Sequence, residues 1–393
     1  MKCNKQNINN ICTHFAENEI SNFNSTVFPL VQTSNFKFNT YEDFMSKTDN
    51  EKDNFIYTRG SNPTTSLLEK RLACLEEGER AKVFSSGMAA ISATILSLIE
   101  TGDHLLSINT IYGQANRFFT SLKKYGVEHS NVKGYSGRGI EKYIKDNTKI
   151  IYLESPSSQF MELVDLESIS YLAKKRNIVT IIDNTWATPI FQNPLKYGID
   201  ICIHSMSKYI NGNSDVVSGV VISNENTIDK IADYGFMNFG AVNSPFNSWL
   251  TTRSLTTLNL RMKQHEESVK KVIDFLSTNK NVKVIYHPYA TKDDTQKKLS
   301  EKYLDGYGSL LSFELKDKDT NKMIKFVNNL KIFSIGVSWG GFESLILPAY
   351  KGGNEDDLKN RGMSITHIRL FIGLEETNSL INDLKQSFDT VYK

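Results

Sequence analysis

Ile178-Val179-Thr180-Ile181-Ile182-Asp183-Asn184-Thr185-Trp186 is the stretch on which the fold turns. Every residue from Ile178 to Ile182 is β-branched, which favours an extended strand. The run lacks the alternation of a half-solvated strand, so it reads as a strand covered on both faces, as in a parallel sheet. Asp183 then places a carboxylate where the strand ends. A capping or turn aspartate is the ordinary reading of such a residue taken alone.

Outward from this stretch the same pattern repeats. Downstream, Ile199 to Ile203 and Val216 to Ile222 are apolar runs. Upstream lie Lys149 to Leu153, Leu105 to Ile108 and Lys82-Val83-Phe84. Helical spacing fills the gaps: Met88 to Leu98, Gln114 to Lys124 and Asp165 to Arg176. Strand and helix in alternation imply crossover connections, hence a doubly wound α/β domain with a mainly parallel sheet. Ahead of it, Thr64 or Thr65 is the expected cap of a helix carrying Leu68, Leu72 and Leu75, with Gly78 as its stop. Residues 1–62 are irregular and dotted with aromatics, and read as an arm. After Thr251 a long helix through Arg261 to Leu276, then Gly308 to Leu315 and Ile368 to Gly373, read as a smaller C-terminal α/β unit. The expected division is arm 1–62, large domain 63–252 and small domain 253–393.

Composition excludes several function classes. Lys+Arg (46) nearly balance Asp+Glu (44), so no global field draws nucleic acid or an anionic membrane. No run of about 18 apolar residues is present, and the start of the chain lacks the apolar core of a signal peptide. Cys3, Cys12, Cys74 and Cys202 are irregularly spaced, against both a disulfide framework and a structural zinc site, so reduced thiols and a cytoplasmic location are expected. The histidines show no H-E-x-x-H or paired spacing, and no metal site is expected. Neither G-x-G-x-x-G after a strand nor a Walker-type loop occurs.

Ligands of open parallel sheets bind beyond the carboxyl ends of the strands. There the sequence offers three features. Ser85-Ser86-Gly87-Met88 follows the first strand and opens a helix whose free N–H groups suit a phosphate. Asp183 follows the central strand. His204-Ser205-Met206-Ser207-Lys208-Tyr209 supplies hydroxyls and an amine on one loop. Each has a bland explanation alone: a packing turn, a capping acid, a solvated lysine. Together they meet the needs of pyridoxal 5′-phosphate (PLP), which requires a lysine, an acid against the pyridine nitrogen, and donors for its phosphate. The acid keeps that nitrogen protonated, because an opposite charge favours the ionised form.

At this point the chain resembles the trans-sulfuration (Cys/Met metabolism) family of PLP-dependent enzymes. The resemblance runs over nearly the whole length. It is carried by Tyr57-Thr58-Arg59 with Asn62-Pro63-Thr64, Ser86-Gly87-Met88-Ala89-Ala90, Tyr112-Gly113, Glu154-Ser155-Pro156, Asp183-Asn184-Thr185, Ser205-Met206-Ser207-Lys208-Tyr209 and the Ser338 to Leu345 segment Ser-Trp-Gly-Gly-Phe-Glu-Ser-Leu. It implies the fold-type I architecture: a mainly parallel seven-stranded sheet domain, a smaller C-terminal α/β domain and an N-terminal arm. It implies that Lys208 carries PLP and removes the substrate proton, that Asp183 pairs with the pyridine nitrogen, and that Tyr112 stacks on the ring. Ser86, Gly87, Met88, Ser205 and Ser207 would hold the phosphate. Tyr57 and Arg59 would reach the site of a neighbouring subunit, in a homo-oligomer built as a dimer of dimers. Arg369, Ser338, Trp339, Tyr57 and Tyr112 would face the substrate, a small sulfur amino acid whose carboxylate Arg369 would grip through two hydrogen bonds.

Within the family, a thiolate leaving from Cβ is expelled once the Cα proton is gone, whereas one on Cγ needs a further deprotonation at Cβ. Ser338-Trp339-Gly340-Gly341-Phe342-Glu343-Ser344-Leu345 resembles bacterial cystathionine β-lyases, because γ-eliminating relatives usually carry an aliphatic residue where Trp339 stands. A tryptophan that merely fills the pocket floor is the competing reading. Val337 stands where some β-lyases have tyrosine, and Gln114 where many methionine γ-lyases have cysteine. The expectation is cystathionine β-lyase activity in methionine biosynthesis, with release of sulfide from cysteine as a side activity. Cystathionine or methionine γ-lyase and O-acetylhomoserine sulfhydrylase remain open on the same scaffold. A catalytically silent PLP-fold binding protein is the alternative of another class, weakened by the presence of Lys208, Asp183, Tyr112 and Arg369 together.

Overall fold

A computed structural model describes residues 7–17, 24–48, 51 and 53–392. The large sheet has seven strands: β1 (Arg80–Phe84), β2 (His104–Ile108), β3 (Glu128–Val132), β4 (Thr148–Glu154), β5 (Val179–Asp183), β6 (Ile201–Ser205) and β7 (Gly219–Ser223). Their order across the sheet is β1-β7-β6-β5-β4-β2-β3. Only β7 runs against its neighbours; the pairs from β6 through β3 are parallel. The mainly parallel α/β sheet expected from the sequence is therefore present.

Side-chain alternation divides the sheet's core in two. Phe84, Leu105, Ile150, Ile181, Ile201 and Ile203 face the helices Gly87–Leu98 and Gly113–Ser121. Residues of opposite parity, Leu106, Ile151, Leu153, Ile182 and Cys202, pack on Leu166–Lys175. Both faces are apolar because both carry helices, which is why β5 reads as a continuous apolar run.

Two terminal assignments of the helix carrying Leu68, Leu72 and Leu75 need correction. Asn62, not Thr64 or Thr65, caps Pro63–Glu76, its side chain accepting the Thr64 N–H, and Pro63 opens the helix where a missing N–H costs nothing. Thr64 instead accepts the Val31 N–H. The stop is Glu77 in the left-handed region (φ 59°), with the Gly78 N–H returning to Ala73 O.

The stretch expected to be an irregular arm carries two short helices, Ile8–His14 and Tyr41–Lys47. The first is pinned by buried Arg71, whose guanidinium donates to the carbonyls of Cys12, Thr13 and Phe15. Cys12 and Cys202 are free and buried, whereas Cys74 is disulfide-bonded, which corrects the expectation of reduced thiols at that position; Cys3 lies outside the described residues.

The second sheet is β8 (Val282–Tyr286), β9 (Leu310–Leu315), β10 (Ser334–Ile335), β11 (Leu345–Pro348) and β12 (His367–Phe371), in the order β10-β11-β12-β9-β8. All its pairings except β10 with β11 are antiparallel. The helices Leu258–Thr278 and Thr377–Val391 pack on it through Val269, Val272, Leu380 and Leu384. A position of 252/253 for the domain division falls inside the Pro245–Leu255 helix; we propose the break at Thr256–Thr257 instead. Trp186 joins the two sheets, its indole N–H donating to Leu310 O at 3.0 Å. Among the described residues no helix is long and apolar enough to cross a membrane.

Candidate active site

The site forms where β1, β4, β5 and β6 end. Asp183 is the last residue of β5 and is buried. One of its oxygens, Oδ1, accepts both the Thr185 N–H (3.0 Å) and the Thr185 hydroxyl (2.5 Å), which fixes the carboxyl group. The Thr185 hydroxyl also accepts the Ser205 N–H at 2.8 Å, so one threonine aligns the ends of β5 and β6. The short turn after β6 places Lys208, its N–H returning to Ser205 O. Burial pushes the Asp183 carboxyl upward in pKa, opposed by the two Thr185 hydrogen bonds and by His204 and Lys208.

Lys208 Nζ donates to Ser338 Oγ at 2.7 Å and lies 5.8 Å from the centre of the Trp339 ring. Burial and then the Arg369 charge lower its pKa, which favours a neutral amine able to act as nucleophile or base. Ser338 is the hinge of this corner. Its carbonyl accepts from Arg369 Nη2 (3.2 Å), and its φ of 74° is a left-handed conformation a serine holds at a cost of order 1–3 kcal/mol. Gly340 (φ 86°) must be glycine, because a Cβ there would stand 2.8 Å from Lys208 Cα and 2.7 Å from the Tyr209 nitrogen. The far end of the loop is bound by Glu375, which accepts from the N–H and hydroxyl of Ser344.

On the β1 side, Ser86 caps the Gly87–Leu98 helix by accepting the Ala89 N–H. The amides of Gly87 and Met88 are then the helix-end donors without an intrahelical acceptor. A Cβ at Gly87 would lie 2.9 Å from Ser205 Cβ, so only glycine lets this helix end pack directly against the β6 loop. Ser207 is partly committed: its hydroxyl donates to Ser218 O (3.3 Å) and accepts the Ser218 N–H (2.9 Å).

Tyr112 is the residue before the Gly113–Ser121 helix, and its ring is 45% exposed. Tyr57 and Arg59 are also exposed; Arg59 donates to Met237 O (3.3 Å) and approaches Glu51 (3.7 Å). Among the described residues no hydrogen bond joins either of them to Lys208 or Asp183.

Sequence reasoning assigned no role to Thr185, Gly340 or Glu154. All three are signalled only by their places in motifs already quoted. Glu154 ends β4 in register with Asp183. Burial, then the Asp183 charge, push its carboxyl up to about 8. The unfolded chain releases that proton near 4.5, so between pH 4.5 and 8 the folded state binds more protons and stability falls as pH rises, by at most about 1.4 kcal/mol per pH unit. Urea unfolding of the ligand-free chain at pH 6 and pH 8 should show a steeper loss in wild type than in Glu154→Gln; equal losses would contradict the buried, protonated carboxyl.

These parts fit PLP. A fixed acid, a desolvated amine and a helix end with free amides stand at neighbouring strand ends, and Asp183, Lys208 and the Gly87 and Met88 amides are the residues that would hold the group. When bound, it supplies an electron sink for a substrate carbanion.

The Cys/Met metabolism PLP-dependent enzyme family model matches residues 10–389. The chain belongs to this family of PLP-dependent trans-sulfuration enzymes, and PLP is its cofactor. It is 36% identical over 377 residues to an L-methionine γ-lyase of Fusobacterium nucleatum subsp. polymorphum, covering 94% of this chain and 95% of the relative. It is 35% identical over 368 residues to a cystathionine β-lyase of Lactococcus lactis subsp. cremoris, covering 92% and 93%. The solved structure of a putative O-acetylhomoserine (thiol)-lyase from Campylobacter jejuni, which carries a pyridoxyl-lysine, superposes with a TM-score of 0.89 at 29% identity over 98% of this chain and 99% of that one. The chain is thus an enzyme of sulfur amino acid metabolism with the fold-type I architecture.

Proposed function

We propose that this enzyme is a carbon–sulfur lyase acting by β-elimination on L-cystathionine, converting it with one water to L-homocysteine, pyruvate and ammonia, as in methionine biosynthesis, with cysteine as a lesser substrate. The observation that carries this reading is the seating of Lys208. Its amine is held between Ser338 Oγ and the Trp339 ring, and Trp339 itself packs on buried Tyr209 at 5.4 Å. β-Elimination asks one base to take one proton from Cα, after which the Cβ–S bond breaks and the thiolate leaves. γ-Elimination asks for a second proton transfer at Cβ. An amine confined by an indole wall suits the first demand better than the second.

The chain's other residues divide the work. Arg369 receives the substrate carboxylate, Asp183 holds charge against the pyridine nitrogen, and the Gly87 and Met88 amides with Ser86, Ser205 and Ser207 receive the phosphate. Tyr112 lies against the ring. Arg369 is desolvated, which strengthens its pairing with a carboxylate and fixes the substrate so that the Cα–H bond faces Lys208.

Tyr57 and Arg59 serve a second subunit in this reading. Both are exposed, and among the described residues neither hydrogen-bonds Lys208 or Asp183, as fits residues that complete a neighbour's site. The enzyme is then a cytoplasmic homo-oligomer, a dimer of dimers.

γ-Elimination is the second reading, favoured by the methionine γ-lyase relative, which is as similar in sequence as the β-lyase. Product analysis on cystathionine separates the two: pyruvate with homocysteine is expected, and 2-oxobutyrate with cysteine would overturn the β assignment. Trp339→Leu should raise the share of γ-products by roughly tenfold, the scale on which reshaping one pocket wall discriminates substrates.

A further inference from the structure

Glu154 touches neither Lys208 nor Arg369 by a hydrogen bond among the described residues, yet its two oxygens are used with purpose. Oε2 accepts the backbone N–H of Tyr112 at 2.6 Å, and Oε1 accepts the Ser158 hydroxyl. Tyr112 occupies the cap position of the Gly113–Ser121 helix but makes no capping bond with its own side chain. A carboxyl group from the next strand end therefore does what a capping side chain does elsewhere, accepting a free N–H at the start of the helix. The Tyr112 ring, nearly half exposed, has little packing of its own to hold it. Its placement depends on its backbone.

We propose that Glu154 is a positioning residue that clamps the Tyr112 backbone and so holds the Tyr112 ring against the cofactor. This rests on the reading above in which Tyr112 faces the cofactor ring. The register of Glu154 with Asp183 links the two: the strand end that carries the clamp is the neighbour of the one that carries the pyridine acid. A carboxyl that keeps its proton to about pH 8 still offers a carbonyl oxygen to the Tyr112 N–H, so the clamp does not need the charge. An amide in the same place should therefore serve.

The test uses the PLP-loaded enzyme and two readouts apart from turnover: the visible circular dichroism of the bound cofactor, which reports how the ring is held, and the fraction of cofactor kept through gel filtration. Glu154→Ala should cut the dichroic band by more than half and raise the cofactor dissociation constant roughly tenfold, the scale of losing one buried hydrogen bond. Glu154→Gln should keep both within about twofold of wild type. Tyr112→Ala should reproduce the changes of Glu154→Ala, and the double variant should be no worse than either single, since the two act as one unit. Should Glu154→Ala fail to fold, Glu154→Met, which keeps the volume without the oxygens, takes its place. Wild-type dichroism and cofactor retention in the Glu154 variant, with Tyr112→Ala altered, would overturn the inference alone. An unaltered Tyr112→Ala would show instead that Tyr112 is not against the cofactor, and the inference would fall with that reading.

Discussion

Lys208→Ala is expected to lower turnover by roughly 10³-fold or more, because in the proposed reading it removes both the covalent anchor of the cofactor and the base that takes the Cα proton. The absorbance band near the edge of the visible that a lysine-bound cofactor gives should vanish, while far-ultraviolet dichroism stays that of wild type. The side chain belongs to no strand or apolar core cluster: its amine reaches across to Ser338 Oγ on the small domain. Removing it therefore leaves the fold and takes away the chemistry. A variant that kept the band would place the cofactor on another lysine. A catalytically silent PLP-fold protein would show no turnover to lose.

Asp183→Asn should have the next largest effect, a fall in kcat of roughly 10²-fold or more with cofactor still bound. Asparagine preserves the shape, and its amide oxygen still accepts from the Thr185 N–H and hydroxyl that now hold Oδ1. What it loses is the negative charge against the pyridine nitrogen, and with it the protonated ring that draws electrons from the substrate. The free chain already works against ionising this carboxyl, since burial raises its pKa and only Thr185, His204 and Lys208 oppose that. A cationic ring is the partner that makes the buried carboxylate favourable. The check is kcat and cofactor content measured in parallel; a near-wild-type kcat at full loading would remove Asp183 from the role assigned to it.

Much of this was legible in the residue order. The β-branched run before Asp183 is a central parallel strand because both faces are covered, and the five other apolar runs of the large domain are also strands. The strand that apolarity could not reveal is β3, Glu128-His129-Ser130-Asn131-Val132. It lies at the edge of the sheet, half in solvent, and needs no apolar face to pair with β2. The cap at Asn62 is not decided by local sequence, because Asn62, Thr64 and Thr65 on either side of Pro63 could each accept a helix-end N–H. The motifs located Lys208, Asp183 and the Gly87 helix end in one place, because strand ends of a parallel sheet converge whatever the loops between them, whereas Arg369 comes from β12 of the second sheet.

Contacts across domains were less visible. Ser338 joins Lys208 to Arg369 over separations of 130 and 31 residues, and no local pattern encodes that. The role of Glu154 is hidden for the same reason, since its acceptor geometry depends on where a helix 42 residues earlier begins.

That Lys208 is the lysine holding PLP is tested most directly by reducing the loaded enzyme with borohydride, digesting it and locating the pyridoxyl group by mass spectrometry. The label should fall on the peptide containing Ser205-Met206-Ser207-Lys208-Tyr209 and on Lys208 within it. A label on any other lysine, or a fully loaded enzyme that takes no label, would contradict the assignment.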